Sequence, residues 1–294
     1  MDVVVFGGSG FIGSHVADEL SAKGYSVRIY DLRKSPYLKE GQKMIVGDLL
    51  DEKKVRDAVA GCDYVYNFAG IPHLDSASTA AADTIKQNIL GNVNVLDACL
   101  KAKVKRFVYA STVYVYSSYG GFYRCSKQAS EIYIEEYQKK FGLEFTMLRY
   151  GTIYGPRSDE ENSIHRYIKE AMRDKKIVCE GNGDELREYI HVRDAAKLSV
   201  DVLAPEFKNQ YVNITGHNPM KFRDMLSTIK EMLGNRVEIE LKAPGKDNAH
   251  YSMTPYSFSP KIGKKLVSHH YIDIGQGLLE TMEEMHKELK KNEK

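Results

Sequence analysis

A short apolar run, Val3 to Phe6, breaks off at Gly7-Gly8-Ser9-Gly10-Phe11-Ile12-Gly13, and an amphipathic stretch from Phe11 to Lys23 follows before Gly24. Strand, glycine loop and helix in that order open a β-α-β unit, which points to a buried parallel sheet. Each glycine of this G-x-x-G-x-x-G spacing answers a separate need. Gly7 permits the tight turn, Gly10 leaves the backbone open to a pyrophosphate, and Gly13 lets the helix pack against the strand. The helix start then offers N–H groups and a partial positive charge to an anion. Glycines also make plain turns, so the loop gains its weight from the strand and helix that flank it.

Asp31 ends the next strand, eighteen residues past Gly13. A carboxylate there accepts hydrogen bonds from ribose hydroxyls, so NAD is expected over NADP. A helix or turn cap is the plainer role for Asp31, and Arg33 is the nearby group that would instead meet a 2′-phosphate. Asp48-Leu49 follows the third strand, where adenine contact and helix capping carry equal weight.

The alternation continues along the first half. Strands are predicted over 26–31, 43–46, 63–69, 105–110 and 144–148, and helices over 52–60, 83–103 and 124–141. Ile85, Ile89, Val93 and Leu96 mark the expected buried face of the long helix. This rhythm predicts an α/β chain built on a Rossmann-type, doubly wound parallel sheet with right-handed crossovers. After Tyr150 the rhythm is irregular. Helices are predicted over 160–175, 222–233 and 275–289, a strand over 236–242, and a long loop over 242–260 with three prolines. The 294 residues suit two domains. Residues 1–152 form the expected NAD-binding domain, with a return segment over 188–215. Residues 153–187 and 216–294 form a smaller C-terminal α/β substrate domain.

Composition removes several alternatives. Apolar residues at 43% and charged residues at 28% exclude a disordered chain, a collagen and a coiled coil. Lys and Arg number 42 against 40 Asp and Glu, a net charge of +2 that argues for neither nucleic acid nor an anionic membrane. No apolar run reaches the roughly 18 residues of a membrane helix, and the first residues lack a basic leader. Cys62, Cys99, Cys125 and Cys179 lie far apart without a Cys-x-x-Cys pair, so reduced thiols and a cytoplasmic location are expected. His73, His191, His269 and His270 have no ligand spacing, so no metal is expected and core or surface positions are. Cys125 reads as a small helix-packing residue.

Tyr123-Arg124-Cys125-Ser126-Lys127 puts a phenol and an ammonium one helical turn apart on one face. A nearby cation favours phenolate, which predicts a Tyr123 pKa lowered from about 10 toward neutrality and a usable general base. Among twenty tyrosines the spacing alone says little. After the glycine loop and a fifth strand ending in Ser111-Thr112 it says much more.

Together these segments resemble the extended short-chain dehydrogenase/reductases, in the nucleotide-sugar epimerase and dehydratase group, over nearly the whole chain. The matching positions are Gly7–Gly13, Asp31, Asp48-Leu49, Phe68-Ala69-Gly70, Asn88-x-x-Gly91-x-x-Asn94, Ser111-Thr112 before Val115-Tyr116, and Tyr123 with Lys127. Arg149-Tyr150-Gly151-Thr152-Ile153-Tyr154-Gly155-Pro156-Arg157, Arg187-Glu188-Tyr189-Ile190-His191-Val192 and Asn213-Ile214-Thr215-Gly216 continue the series. The resemblance implies that Phe11, Ile12, Leu32, Arg33, Phe68, Ala69, Gly70, Asn88 and Tyr150 join the NAD site. It implies that Tyr123 takes a proton from a sugar hydroxyl as hydride leaves the same carbon. Lys127 would hold the nicotinamide ribose, and Thr112 the reacting oxygen. Ser111, Thr152, Arg157 and Arg187 would contact a nucleotide-diphosphate sugar, although a surface ion pair with Glu185 or Glu188 is the plainer role for Arg187. A homodimer is implied through the helices over 83–103 and 124–141, with Ile132 and Tyr133 as contacts.

Three departures stand out. Tyr123 stands eleven positions after Thr112, where the family commonly has a longer, proline-containing loop, and Tyr114, Tyr116 and Tyr119 crowd the interval as packing or stacking groups. Val113-Tyr114 replaces the Asp-Glu of the dehydratases, which disfavours water elimination. Thr152 stands where Asn is usual. The resemblance therefore implies a 4-epimerase, with a net C4 dehydrogenase or 4-ketoreductase as the alternative. A catalytically silent NAD sensor is a third reading, opposed by intact Tyr123 and Lys127.

Overall fold

The computed structural model describes residues 1–72, 81–242, 253–254, 264–267 and 270–292. The first half runs β1 (Asp2–Phe6), α1 (Phe11–Ala22), β2 (Ser26–Asp31), β3 (Lys43–Val46), α2 (Glu52–Val59) and β4 (Tyr64–Asn67). It continues through α3 (Ala81–Thr84), a π-helical turn (Ile85–Leu90), α4 (Gly91–Ala102), β5 (Arg106–Thr112), α5 (Gly121–Phe141) and β6 (Phe145–Tyr150). The second half carries β7 (Thr152–Tyr154), α6 (Ser163–Asp174), β8 (Lys176–Glu180), β9 (Leu186–His191), α7 (Val192–Asp201), β10 (Gln210–Ile214) and β11 (Pro219–Lys221). The last elements are α8 (Phe222–Met232), β12 (Glu238–Lys242), β13 (Lys264–Lys265) and α9 (Ile274–Asn292).

Two compact units result. The first holds residues 1–150, 196–214 and the surroundings of β13. Its sheet runs β13-β10-β6-β5-β4-β1-β2-β3, with every neighbouring pair parallel. Six of these strands stand in the order 3-2-1-4-5-6 of a doubly wound sheet, whose direction reverses between β1 and β4. Ligands of such sheets bind at that reversal, beyond the strands' carboxyl ends. Strands buried on both faces need continuous apolar runs, and Val3, Val4, Val5 and Phe6 of β1 are fully buried. On one face Val4, Val65, Phe107 and Met147 pack with Val55 of α2, Leu96 of α4 and Ile134 of α5. Burial is worth about 1.5–3 kcal/mol for each such side chain, which fixes the strand ends that carry the loops.

The helix expected over 83–103 is broken in the middle. Asn88 lies in the π turn, and its carbonyl accepts the Ser130 hydroxyl of α5 at 2.8 Å. A side chain competing for a helical carbonyl explains the widened turn. The turn also rotates Ile85 outward, where it is 57% exposed, so only the later part of the expected apolar face, such as Leu96, is core.

The second unit holds residues 151–195, 215–254 and 267–294. Residues 188–195, assigned from sequence to the first domain, belong here with β9. Its three-stranded sheet is β11-β9-β7, and β8 pairs in parallel with β12. Ile164 and Ile168 of α6, Met225, Leu226 and Ile229 of α8, and Leu278 of α9 close its core. Helix α6 starts at Ser163 because the Asn162 side chain caps it, accepting from the Ile164 and His165 N–H groups at 3.1 and 3.2 Å. Strands β8 and β9 escaped the sequence reading because each mixes buried with half-buried or exposed positions and carries no continuous apolar run. Most of the 242–260 stretch, His73 and His269 lie outside the described residues.

Candidate active site

The glycine loop is built around two close approaches. A Cβ on Gly7 would lie 2.6 Å from the Ala69 nitrogen, and one on Gly13 would lie 2.2 Å from the Gly7 oxygen. Gly7 also has φ +74°, a left-handed conformation that glycine adopts without strain. A Cβ on Gly10 would meet only the Gly7 oxygen, at 3.3 Å, so the space over that residue is otherwise open. Gly10 caps α1 without a side-chain hydrogen bond, and the first turn, which holds Phe11, Ile12 and Gly13, has no acidic residue. An uncapped helix start free of carboxylates suits a pyrophosphate. These residues fit the dinucleotide expected from the sequence.

The Asp31 carboxylate accepts from the Ser9 N–H at 3.0 Å and the Arg33 N–H at 3.3 Å. Ser9 Oγ in turn donates to the Arg33 carbonyl at 2.9 Å. The end of β2 and the glycine loop are thus one hydrogen-bonded corner. Leu32 and the Arg33 side chain are exposed beside it. Asp48 does not cap α2, whose N-cap is Asp51; its Oδ1 instead accepts from the Leu50 N–H at 3.0 Å in the turn before the helix. Leu49 is buried, and its carbonyl accepts from Asn94 Nδ2 at 2.9 Å. Gly91 is required there, since a Cβ would come within 2.9 Å of the Leu49 side chain.

At the end of β4, Phe68 lies between the rings of Tyr66 and Tyr150, with centroids 6.1 and 6.3 Å away. The Ala69 N–H donates to Asn67 Oδ1 at 3.1 Å. Asn88 is 2% exposed, and its carboxamide is engaged. It accepts from the Ile71 N–H at 2.7 Å and donates to the Ile71 carbonyl at 3.1 Å and to Ser126 Oγ at 2.9 Å. Expected as a cofactor contact, Asn88 here clamps the Gly70-Ile71 turn against α5. Gly70, at φ +145°, has no room for a Cβ, which would meet Asn88 Oδ1 at 2.5 Å.

Tyr123 and Lys127 lie on the face of α5 that meets β5. Lys127 Nζ donates to the Ala110 carbonyl at 2.7 Å and sits 4.7 Å from the Tyr109 ring centre and 5.8 Å from that of Tyr123. Thr112 lies close enough to the Tyr123 phenol to act on its proton affinity, and its hydroxyl accepts from the Tyr114 N–H at 3.3 Å. The three residues expected to be reactive are therefore together. Their charge states are not as expected. Burial pushes Tyr123 up to about 12, opposed by Thr112. Burial pushes Lys127 down to about 8, opposed by the Glu131 carboxylate. The ammonium is aimed at a carbonyl rather than the phenol, so desolvation outweighs the expected lowering of the Tyr123 pKa.

Other placements need revision. Ser111 is 3% exposed, and its hydroxyl donates to Glu131 Oε1 at 2.5 Å, which makes it a support for α5 rather than a sugar contact. The Tyr150 hydroxyl shares a 2.7 Å hydrogen bond with Ser199 Oγ. Cys125 is exposed rather than packed, and all four cysteines are free. The loop between Thr112 and Tyr123 is folded on itself. Ser117 Oγ donates to the Tyr114 carbonyl at 3.2 Å, Arg124 Nη1 donates to the Ser117 carbonyl at 2.9 Å, and Tyr114 packs over Gly120. In the second unit Thr152 pairs with Tyr189 between β7 and β9. The Arg187 guanidinium lies 5.7 Å from the Phe222 ring centre, and the Arg157 N–H donates to Glu284 Oε2 at 3.1 Å. His191 is 1% exposed with its ring edge against Tyr154, a core histidine. Among the described residues no cluster of His, Cys, Asp and Glu could hold a metal, and no helix is long and apolar enough to cross a membrane. Glu131 was not among the expected site residues, although an acid one turn past Lys127 on the same face is a visible signal.

Residues 3–215 match the family model described as the NAD dependent epimerase/dehydratase family. A protein of Methanocaldococcus jannaschii, provisionally named a UDP-glucose 4-epimerase, is 28% identical over 264 residues, covering 80% of this chain and 84% of that protein. A UDP-N-acetyl-alpha-D-glucosaminuronate decarboxylase of Bacillus cytotoxicus is 28% identical over 256 residues, 78% and 79% of the two chains. The crystal structure of the Thermotoga maritima UDP-glucose 4-epimerase with UDP-glucose superposes with a TM-score of 0.83 at 25% identity, covering 98% of this chain and 100% of the other.

Proposed function

The chain belongs to the NAD dependent epimerase/dehydratase family, and on that premise we propose that it performs redox chemistry at C4 of a nucleotide-diphosphate sugar, with 4-epimerisation as the net reaction. The observation that carries this reading is the joint placement of Tyr123, Lys127 and Thr112 in the unit that holds the glycine loop. NAD, which the glycine loop, Asp31 and Lys127 would hold, would supply the hydride acceptor. Tyr123 Oη takes the proton of the C4 hydroxyl as the C4 hydride leaves, so the carbon becomes a ketone. The Thr112 hydroxyl orients the phenol and the reacting oxygen, and Lys127 holds the nicotinamide ribose. Return of hydride and proton to the opposite face restores the alcohol inverted, with no net redox change. Without that return the reaction is a C4 dehydrogenation, or a 4-ketoreduction in reverse. Val113 and Tyr114 supply no carboxyl group for water elimination.

The paired backbone contacts at Asp31 support NAD over NADP, because a fixed carboxylate repels a 2′-phosphate. Arg157 and Arg187 are assigned to the substrate diphosphate, which planar guanidinium groups grip well. Exposed Ile132 and Tyr133 on α5, with Ile85 and Leu90 on the π turn, support a homodimer. Free cysteines support a cytoplasmic location. The test is incubation with UDP- and dTDP-hexoses and catalytic NAD, followed by proton NMR of the sugar. Interconversion of the C4 epimers is the expected result. A stoichiometric NADH signal with a 4-keto product selects the dehydrogenase, and no change in any sugar defeats the reading.

A further inference from the structure

Three side chains on one face of α5 meet three consecutive residues of β5. Tyr123 meets Thr112, Lys127 meets the Ala110 carbonyl, and Glu131 meets Ser111. The first two contacts bear the chemistry of the proposed reaction, whereas the third leads into the core. Glu131 is 1% exposed and Arg149 of β6 is fully buried. Ser111 and Arg149 are direct neighbours in the β5–β6 register. Arg149 grips the carboxylate with a two-pronged fork, Nη2 to Oε2 at 2.6 Å and Nε to Oε1 at 3.0 Å. Its remaining nitrogen, Nη1, donates to the Tyr116 hydroxyl at 2.5 Å, and that hydroxyl reaches Asn213 Oδ1 at 3.2 Å. The guanidinium is also 4.5 Å from the ring centres of both Tyr116 and Tyr211.

We propose that the buried Glu131–Arg149 pair is a positioning device for the active site, locking α5 in register with β5 and holding a carboxylate one turn behind Lys127. The proposal rests on the assignment of Tyr123, Lys127 and Thr112 given above. A buried ion pair gives little net stability over apolar groups of the same size, so its effect here is geometric and electrostatic. The geometry ties every moving part of the triad to one rigid point. Glu131 sits on the helix of Tyr123 and Lys127, Ser111 is next to Thr112, and Tyr116 ends the turn that leaves Thr112. The electrostatics act on Lys127. Around its ammonium stand the Ala110 carbonyl and Tyr109 from β5, Tyr123 and Glu131 from its own helix, and Arg149 behind Glu131 from β6. Glu131 is the one anion in that set, and Arg149 prevents its carboxylate from swinging away.

The test is the double variant Glu131→Gln/Arg149→Met, which removes both charges and keeps the side-chain volume, together with Ser111→Ala. NADH fluorescence gives cofactor affinity from pH 6 to 10, circular dichroism checks the fold, and sugar turnover gives kcat and KM. The double variant is expected to fold, with the alkaline loss of NADH affinity moved to lower pH by roughly 0.5–1 unit as the anion beside Lys127 disappears. Its kcat should fall at least about tenfold with KM within about twofold, as misplacement of a proton carrier predicts. A folded double variant with the parental pH limb and parental kcat overturns the proposal. Should it fail to fold, Ser111→Ala decides: slower turnover with an unmoved pH limb upholds the register lock, and parental kinetics overturn it. A parent that binds NADH but converts no sugar defeats the functional reading alone, and the pH limb of NADH binding then decides this one. A parent that binds no NADH removes both.

Discussion

Lys127 is placed where chemistry needs it and where stability does not. Its ammonium is buried, and the surrounding low dielectric takes its pKa from 10.5 to about 8. At about 1.4 kcal/mol for each pH unit, the folded state bears a penalty of about 3 kcal/mol for keeping this side chain charged. Lys127→Met preserves most of the buried chain and removes the charge. It also removes the donor to the Ala110 carbonyl, a loss of about 1 kcal/mol. The variant should therefore be more stable at pH 7 by about 2 kcal/mol, a rise in Tm of about 4–8 °C for a unit of this size. The sign depends on pH in a defined way. The unfolded lysine holds its proton up to about 10.5 and the folded one only to about 8, so the parent gains stability as pH rises between them. The advantage of the variant is thus complete below pH 8, shrinks above it, and by pH 10.5 has turned into a deficit of about 1 kcal/mol, the lost hydrogen bond. Thermal unfolding of both proteins at pH 7, 9 and 10.5 measures it. A variant less stable at pH 7, or an advantage that does not shrink with rising pH, refutes the argument that burial dominates at Lys127.

Tyr123→Phe keeps the ring and removes the proton carrier, so kcat should drop about 10²–10⁴-fold with NAD affinity unchanged by calorimetry; near-parental turnover takes Tyr123 out of the mechanism. Asp31→Ala should weaken NAD binding by about 1.5–3 kcal/mol, the scale of hydrogen bonds to a charged group, and narrow the preference over NADP; a parent that prefers NADP⁺ by calorimetry transfers the role to Arg33. Burial, with Arg193 adding to it, holds His191 down to about 4 from 6.5. The stability this gives is complete above pH 6.5 and lost as pH falls through 4, so urea unfolding of His191→Phe should show an acid limb flatter by up to about 3 kcal/mol. Replacing Ile132 and Tyr133 together by lysine should halve the mass found by light scattering, and a parent that is already monomeric discards the α5 interface.

What the sequence disclosed is what short segments decide on their own. The glycine spacing, Asp31 eighteen residues on and the Tyr-x-x-x-Lys turn each act within one loop or one helical turn, and the first half folds in the predicted order. Elements that depend on distant partners were hidden. The π turn exists because Ser130 of another helix takes the Asn88 carbonyl, and no periodicity within 83–103 encodes that. Strands β8 and β9 are held by neighbours more than thirty residues away or by a few short pairings. The largest discrepancy concerns charge. Spacing places Lys127 near Tyr123, yet says nothing about how dry the site is, and dryness sets both proton affinities. A sequence therefore identifies the groups of such a site more readily than their protonation states. The same limit hid Glu131 and Arg149. Each looks ordinary alone, a helix acid and a strand base, and only the pairing of Ser111 with Arg149 across β5 and β6 brings the two charges together behind the reactive face.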